Sequence, residues 1–311
     1  MKIYSYEYKT ALPTSPCVLC LGFFDGVTTA HRELIKKARE IADERGFELG
    51  VFTFPAENKI KPDTERIYST EEKLILLSRL GVDFVVLGDF GALSGLLPQE
   101  FVRDVIVRDI GAKVAASGFN FRFGRGAMGD AEELLSLMRS EGGDALILKE
   151  LCLGGITVSS TAIREALARC DIDRANELLG APYFIRAEVK AGMGEGRRLG
   201  FPTVNTEIPT GRISPRGVFR SAAVIGDKIY HAVTNIGSCP TLGEREIHAE
   251  THIIDYSGDL YGKYVDVYIL GFLRNEMRFD STDGLKTQVE EDKERAKREN
   301  GELKWQKLGL K

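Results

Sequence analysis

At Gly180-Ala181-Pro182 the hydrophobic pattern of this chain changes its period, and that change restricts the available folds more than any other feature. Gly180 is placed to end a helix and Pro182 prevents its continuing. Before this point, apolar runs alternate with helical spacing. VLCLGFF (18–24), GFELGVFTF (46–54), GVDFVVLGDF (81–90), AKVAAS (112–117) and DALILKEL (144–151) read as strands. Between them, Leu34, Ile35, Ala38, Ile41 and Ala42 recur at helical spacing, and helices are expected at 69–80, 98–110 and 131–142. Alternating β and α units with short connections imply a parallel sheet with right-handed crossovers.

Beyond residue 182 the helical period disappears. YFIRAEVKAG, VFRSAAVIGDKIYHAVTNIG, AETHIIDY and YVDVYILGFL read as strands, with Gly226-Asp227 as a hairpin turn. Short strands with frequent turns suggest an antiparallel barrel or sandwich. A charged helix at about 283–300 closes the chain, presenting Leu285, Val289 and Ala296 to one side, with its DKERAKRE run expected to be a solvated face. Two domains follow, 1–180 and 181–311, as a length of 311 residues suggests.

Composition narrows the function classes. A net charge of −4 argues against a general nucleic-acid binder, whose footprint is a basic excess. The first residues, MKIYSYEYKTALP, lack the apolar core of a signal peptide, and no run approaches transmembrane length. Five scattered cysteines fit reduced thiols and a cytoplasmic setting. Cys17 and Cys20 form a C-x-x-C inside the first strand, with no second ligand pair, and are expected in the core.

In parallel α/β sheets, ligands bind beyond the carboxyl ends of the strands. The stretch LGFFDGVTTAHREL (21–34) lies at such an end. A strand, a Gly turn and a helix start bring free backbone N–H groups and the positive end of a helix dipole together, which suits an anion. Asp25 and His31 stand in this turn. SGFNFRFGRGAMGD (117–130) follows another strand, and its Arg122 and Arg125 offer bidentate donors to phosphate or carboxylate. VSSTAIREAL (158–167) carries residues that suit a helix cap, with Arg164 one turn later, and FTFPAEN (52–58) follows the second strand. None of these residues looks like an activated nucleophile, so direct transfer between phosphates fits better than a covalent intermediate.

The second half holds a sharper set. GMGEGRRLGFPTVN (192–205) is a Gly-rich loop with two arginines, and such loops wrap phosphates through backbone amides. Thr203 and Asn205 supply hard oxygen ligands of the kind Mg²⁺ prefers. Glu250 sits in an alternating strand, where it reads either as a surface carboxylate or as a general base in a barrel mouth.

Seven motifs in order, LGFFDGV, SGFNFRFGRG, VSSTAIREAL, GRRLGFPTVN, VTNIGSCPT, ETHIIDYSGDLYG and LRNEMRF, resemble the prokaryotic bifunctional riboflavin kinase/FMN adenylyltransferase (FAD synthetase) family across essentially the whole chain. The resemblance implies an N-terminal Rossmann-like nucleotidylyltransferase domain that joins FMN to the AMP part of ATP. It also implies a C-terminal six-stranded antiparallel barrel that phosphorylates riboflavin with ATP and Mg²⁺. The ligands implied are riboflavin, FMN and ATP, with neither nucleic acid nor membrane.

By the same resemblance Glu250 is the kinase base, and Thr203 and Asn205 hold Mg²⁺ and ATP phosphate, with Gly196, Arg197 and Gly200 on the phosphate loop. In the first domain it implies nucleotide contacts from Gly22, Phe24, Asp25, Thr28, Asn120, Arg122, Ser160, Thr161 and Arg164, with His31 catalytic. Two departures stand out. The family's His-x-Gly-His is Thr28-Thr29-Ala30-His31 here, and its Pro-His-Pro gives way to FTFPAEN, which has no histidine. The anion site thus loses positive charge, and adenylyl transfer is expected to be weakened. Residues alone leave open a kinase with an inactive first domain, adenylyl transfer to another acceptor, and a non-catalytic flavin-binding protein.

Overall fold

The computed structural model describes residues 1–12, 15–58, 64–190, 201, 203–238 and 247–309. The chain divides into two compact units: Met1–Thr64 with Tyr68–Ser159, and Glu65–Ile67 with Ser160–Lys311.

The first unit is built on strands β1 (Lys2–Tyr6), β2 (Cys17–Leu21), β3 (Glu48–Thr53), β4 (Phe84–Gly88), β5 (Ala112–Gly118) and β6 (Asp144–Leu148). They form one parallel sheet in the order β1-β4-β3-β2-β5-β6. Every residue of β2 is buried, as a strand covered on both faces requires, and this is why it reads as an unbroken apolar run. Cys17 and Cys20 lie within it as free, fully buried thiols. Burial raises both, Cys17 to about 12, so neither is a reactive thiolate.

Helix α1 (Thr29–Arg45) buries Leu34, Ile35, Ala38 and Ala42 and stops at Gly46, whose φ of 65° only glycine adopts freely. Helix α2 (Thr70–Arg79) starts from a Ser69–Glu72 capping box. The expected helix at 98–110 is one turn followed by α3 (Phe101–Asp109), which is π-wound. Helix α4 (Ala131–Ser140) is capped by Asp130. Two further elements of this unit differ from the sequence reading. Strand β1 was not anticipated, because a half-exposed edge strand of five residues carries little hydrophobic pattern. The strand expected at 144–151 ends at Leu148, and a small hairpin, β7 (Cys152–Leu153) with β8 (Ile156–Thr157), follows.

The central order β4-β3-β2-β5-β6 is that of a Rossmann-like fold, extended by β1 at one edge. Connections leave β2 toward β3 on one side and reach β5 on the other. The switch point therefore lies between the carboxyl ends of β2 and β5.

The second unit opens with helices α5 (Ser160–Ala168) and α6 (Ile172–Leu179), the latter ended by Gly180 at φ 70°. Strands β9 (Tyr183–Glu188), β10 (Thr203–Ile208), β11 (Gly217–Ile225), β12 (Lys228–Ser238), β13 (Ile247–Ile253) and β14 (Tyr264–Arg274) follow. They pair antiparallel in the order β10-β13-β12-β11-β14-β9, and Lys190 N–H donates to Asn205 C=O at 3.0 Å, which joins the two ends and closes a barrel. Register shifts between β11 and β14 supply local curvature. Gly226-Asp227 makes the expected hairpin turn.

Alternation separates the two faces of this barrel. Facing inward are Ala232, Ile236, Ala249 and Ile253, with a chain of hydroxyls from Ser221 through Thr234 to Thr251 at 2.7 and 3.0 Å. On the outer face, Val218, Val233, Ile254 and Leu273 pack with Ala296 of α7 (Thr282–Asn300). The DKERAKRE run is not simply solvated. Its Asp292 is buried and takes a two-pronged ion pair from Arg274 at 2.8–3.2 Å. Asn300, fully buried, donates to Ser221 C=O. A helix that binds through paired polar groups hides its inner face from a reading based on apolar spacing.

Candidate functional site

In the first unit the turn after β2 is strained. Phe24 and Val27 hold φ values of 52° and 43°, flanking Gly26 at 87°, and a β-branched residue at positive φ is unfavourable. Several bonds hold it in place. Thr53 Oγ1 and Lys73 Nζ both donate to Phe23 C=O, at 2.9 and 3.2 Å. Lys73 also donates to Phe54 C=O at 2.6 Å and to Thr53 Oγ1 at 3.1 Å, so one ammonium ties this turn to the end of β3. Burial lowers Lys73 to about 8, opposed by the charges of Asp25 and Glu57.

Thr28 is the N-cap of α1. Its hydroxyl accepts from His31 N–H at 3.3 Å, and His31 Nδ1 accepts from Thr28 N–H at 3.1 Å, a reciprocal capping box. The ring proton therefore sits on Nε2. Burial, with Lys73's charge second, lowers His31 to about 4, so the imidazole is neutral at pH 7. Its ring packs on Phe24 at 4.8 Å between centroids, and Phe24 is fully buried. Gly22 leaves room for the Phe24 ring: a Cβ there would crowd it at 3.1 Å. Asp25 is buried beside these groups.

Asn120 and Arg122 lie exposed on the connection after β5, across the switch point from the β2 turn. Arg122 faces Asp130 at 3.6 Å. Ser160, Thr161 and Arg164 belong to the second unit, where Arg164 Nε donates to Glu65 C=O at 2.6 Å. The first unit thus brings together Gly22, Phe24, Asp25, Thr28 and His31. Lys73 was missed, although it shares the buried face of α2 with Leu76 and Leu77, and a lysine at core spacing was the available signal.

In the second unit, Asn205 and Glu250 are register partners, and Thr203 stands two residues from Asn205 on the same face, opposite His252. On the far side of Glu250, Asn235 is its partner on β12. This row shares the face of Val233 and Val218, so it lies on the outside of the barrel, and Glu250 is exposed there. The Phe201 and His252 rings are perpendicular with centroids 6.0 Å apart, and Lys293 Nζ of α7 stands 5.8 Å from the centre of the Phe201 ring. Gly196, Arg197 and Gly200 lie outside the described residues. Thr203, Asn205 and Glu250 together make a hard oxygen donor set of the kind that suits a small divalent cation.

The FAD synthetase family matches residues 11–162 and the riboflavin kinase family residues 179–299. The bifunctional riboflavin kinase/FMN adenylyltransferase of Escherichia coli (strain K12) is 36% identical over 90% of this chain and 91% of its own length. This chain belongs to the bifunctional riboflavin kinase/FMN adenylyltransferase family. The corresponding protein of Bacillus subtilis (strain 168) is 31% identical over 90% of this chain and 91% of its own length. A crystal structure from Streptococcus pneumoniae, described as a macrolide-efflux protein, superposes with a TM-score of 0.84 at 29% identity, covering 96% of this chain and 99% of that one. The chain is a transferase of flavin biosynthesis carrying both family domains. Riboflavin, FMN and ATP are the substrates of the family's reactions, which generally need a divalent metal.

The neutral His31 makes a pH prediction. An imidazole held at about 4 in the fold, against 6.5 in the unfolded chain, favours the fold while uncharged. That stability is complete above about pH 6.5 and is lost as pH falls toward 4. His31→Gln keeps a capping-box side chain but does not titrate, so its unfolding midpoint in urea should fall less between pH 7 and 4 than that of the native chain. Parallel acid limbs would contradict the neutral, capping role.

Proposed function

We propose that the outer face of the barrel phosphorylates riboflavin, with Glu250 as general base and Thr203 and Asn205 holding Mg²⁺ and ATP phosphate. The observation that carries this reading is the register that sets Glu250 beside Asn205 on one exposed face. Glu250 takes the proton of the ribityl 5′-hydroxyl, its oxygen bonds to the γ-phosphorus, and the bond to the ADP oxygen breaks. Such transfers need positioning and charge stabilisation and little covalent chemistry. Mg²⁺, when bound, neutralises charge on the triphosphate. Gly196, Arg197 and Gly200 complete the phosphate loop in this assignment.

In the first domain, assigned to 1–180 with the barrel domain at 181–311, FMN phosphate attacks the α-phosphorus of ATP and pyrophosphate leaves. The nucleotide is assigned to the β2 turn with Asn120 and Arg122. Supporting a weakened reaction, Thr28 serves as a helix cap and His31 is neutral, offering the phosphates Nε2–H as a donor without charge. Both reactions are placed in the cytoplasm, in keeping with four free cysteines among the described residues. Among those residues no helix is long and apolar enough to cross a membrane.

Purified chain given riboflavin, ATP and Mg²⁺, with products separated by chromatography, should yield FMN, and chelation of the metal should stop it. Absence of FMN with Mg²⁺, Mn²⁺ or Zn²⁺ would refute the kinase assignment.

FAD should form from FMN more slowly than FMN forms from riboflavin. Thr28→His with Ala30→Gly should raise FAD formation roughly tenfold, the scale of one recovered charged hydrogen bond. The same variant should cost about 1 kcal/mol of stability through the lost cap. No gain in FAD formation would mean that another group holds the phosphate.

A further inference from the structure

Glu250 has two register partners on the outer face. Asn205 is assigned above; Asn235, on the other side, is not. Directly paired residues hold their Cβ atoms about 4.5–5.5 Å apart, so Asn235 stands side by side with Glu250. Its amide is oriented. Nδ2 donates to Glu276 Oε1 at 3.2 Å. A carboxylate only accepts, so nitrogen faces Glu276 and oxygen faces away. Glu276 can sit there because residue 237 is glycine: a Cβ at that position would stand 2.1 Å from Glu276 Oε1. The Asn235 Oδ1 is buried and has no hydrogen-bond partner among the described residues.

A fixed, unpartnered acceptor beside the base calls for a donor, since buried polar atoms are almost always bonded. Of the groups that meet at Glu250, the triphosphate presents only acceptors. The ribityl chain brings several hydroxyl donors. We propose that Asn235 is a specificity-determining residue of the kinase site, its Oδ1 accepting from a ribityl hydroxyl next to the one Glu250 deprotonates. Glu276 is the positioning residue that aims it. The proposal rests on Glu250 acting at the 5′-hydroxyl.

The test measures KM for riboflavin and for ATP, and riboflavin affinity by flavin fluorescence without ATP. Asn235→Ala should raise the riboflavin KM and dissociation constant about 3- to 10-fold, the worth of one neutral hydrogen bond, with the ATP KM within about twofold. Asn235→Asp sets a second carboxylate against Glu276 and should weaken riboflavin more. Adding Glu276→Gln to it restores a donor–acceptor pair, reversed in direction, and should recover most of the affinity. Unchanged riboflavin affinity in Asn235→Ala, an equal rise for both substrates, or no recovery in the double variant would overturn the proposal. Native chain that binds riboflavin but makes no FMN would instead refute the Glu250 assignment, and the fluorescence comparison would still decide the role of Asn235.

Discussion

The register of β13 between β10 and β12 is the constraint on which the second unit depends. Side chains alternate with a period of two, so a slip of one residue would turn every group to the other face. In the observed register, Ala249, Thr251 and Ile253 face inward, while Glu250 and His252 face outward beside Asn205 and Thr203. Closure through Lys190 and Asn205 makes that register hard to lose, because the strand pairs around the ring must shift together. The barrel interior sets a chain of hydroxyls among buried apolar side chains such as Phe219, Ile236 and Ile253, and its stability comes from satisfied bonds as well as from apolar burial. On the outside, α7 covers one part and leaves Glu250, the proposed base, exposed.

The first unit manages charge differently. The turn after its second strand is a helix start with strained backbone, fixed by a buried lysine. Capping uses the Thr28 hydroxyl and one nitrogen of His31, and the Val27, Thr28 and His31 N–H groups all bond within the turn, beside a neutral ring. Lys73 contributes positive charge, but all three of its bonds go to the protein. The two proposed sites thus differ in how their polar groups are committed: largely to the fold in the first unit, outward from a sheet face in the second.

Much of this was legible in the sequence. Apolar runs marked β2 to β5, Gly46 and Gly180 ended their helices, and the period change near Pro182 divided an α/β pattern from a β pattern. What escaped was structure held by polar groups. Asp292 and Asn300 bury a helix face through an ion pair and a carbonyl bond, which no apolar stripe announces. Lys73 sits at a core position because three oxygens await it, and those oxygens come from segments distant in sequence. Asn235 was passed over because its importance lies in its partner across the sheet, which spacing along one strand does not reveal.

The measurement closest to the central claim is the turnover of Glu250→Gln at saturating riboflavin and ATP, with riboflavin affinity measured alongside. The amide keeps the shape of the side chain but cannot take the hydroxyl proton, so turnover should fall by about 10²–10⁴-fold while riboflavin affinity stays within about twofold. A variant that keeps more than about a third of native turnover would remove Glu250, and with it the outer-face assignment, from the mechanism.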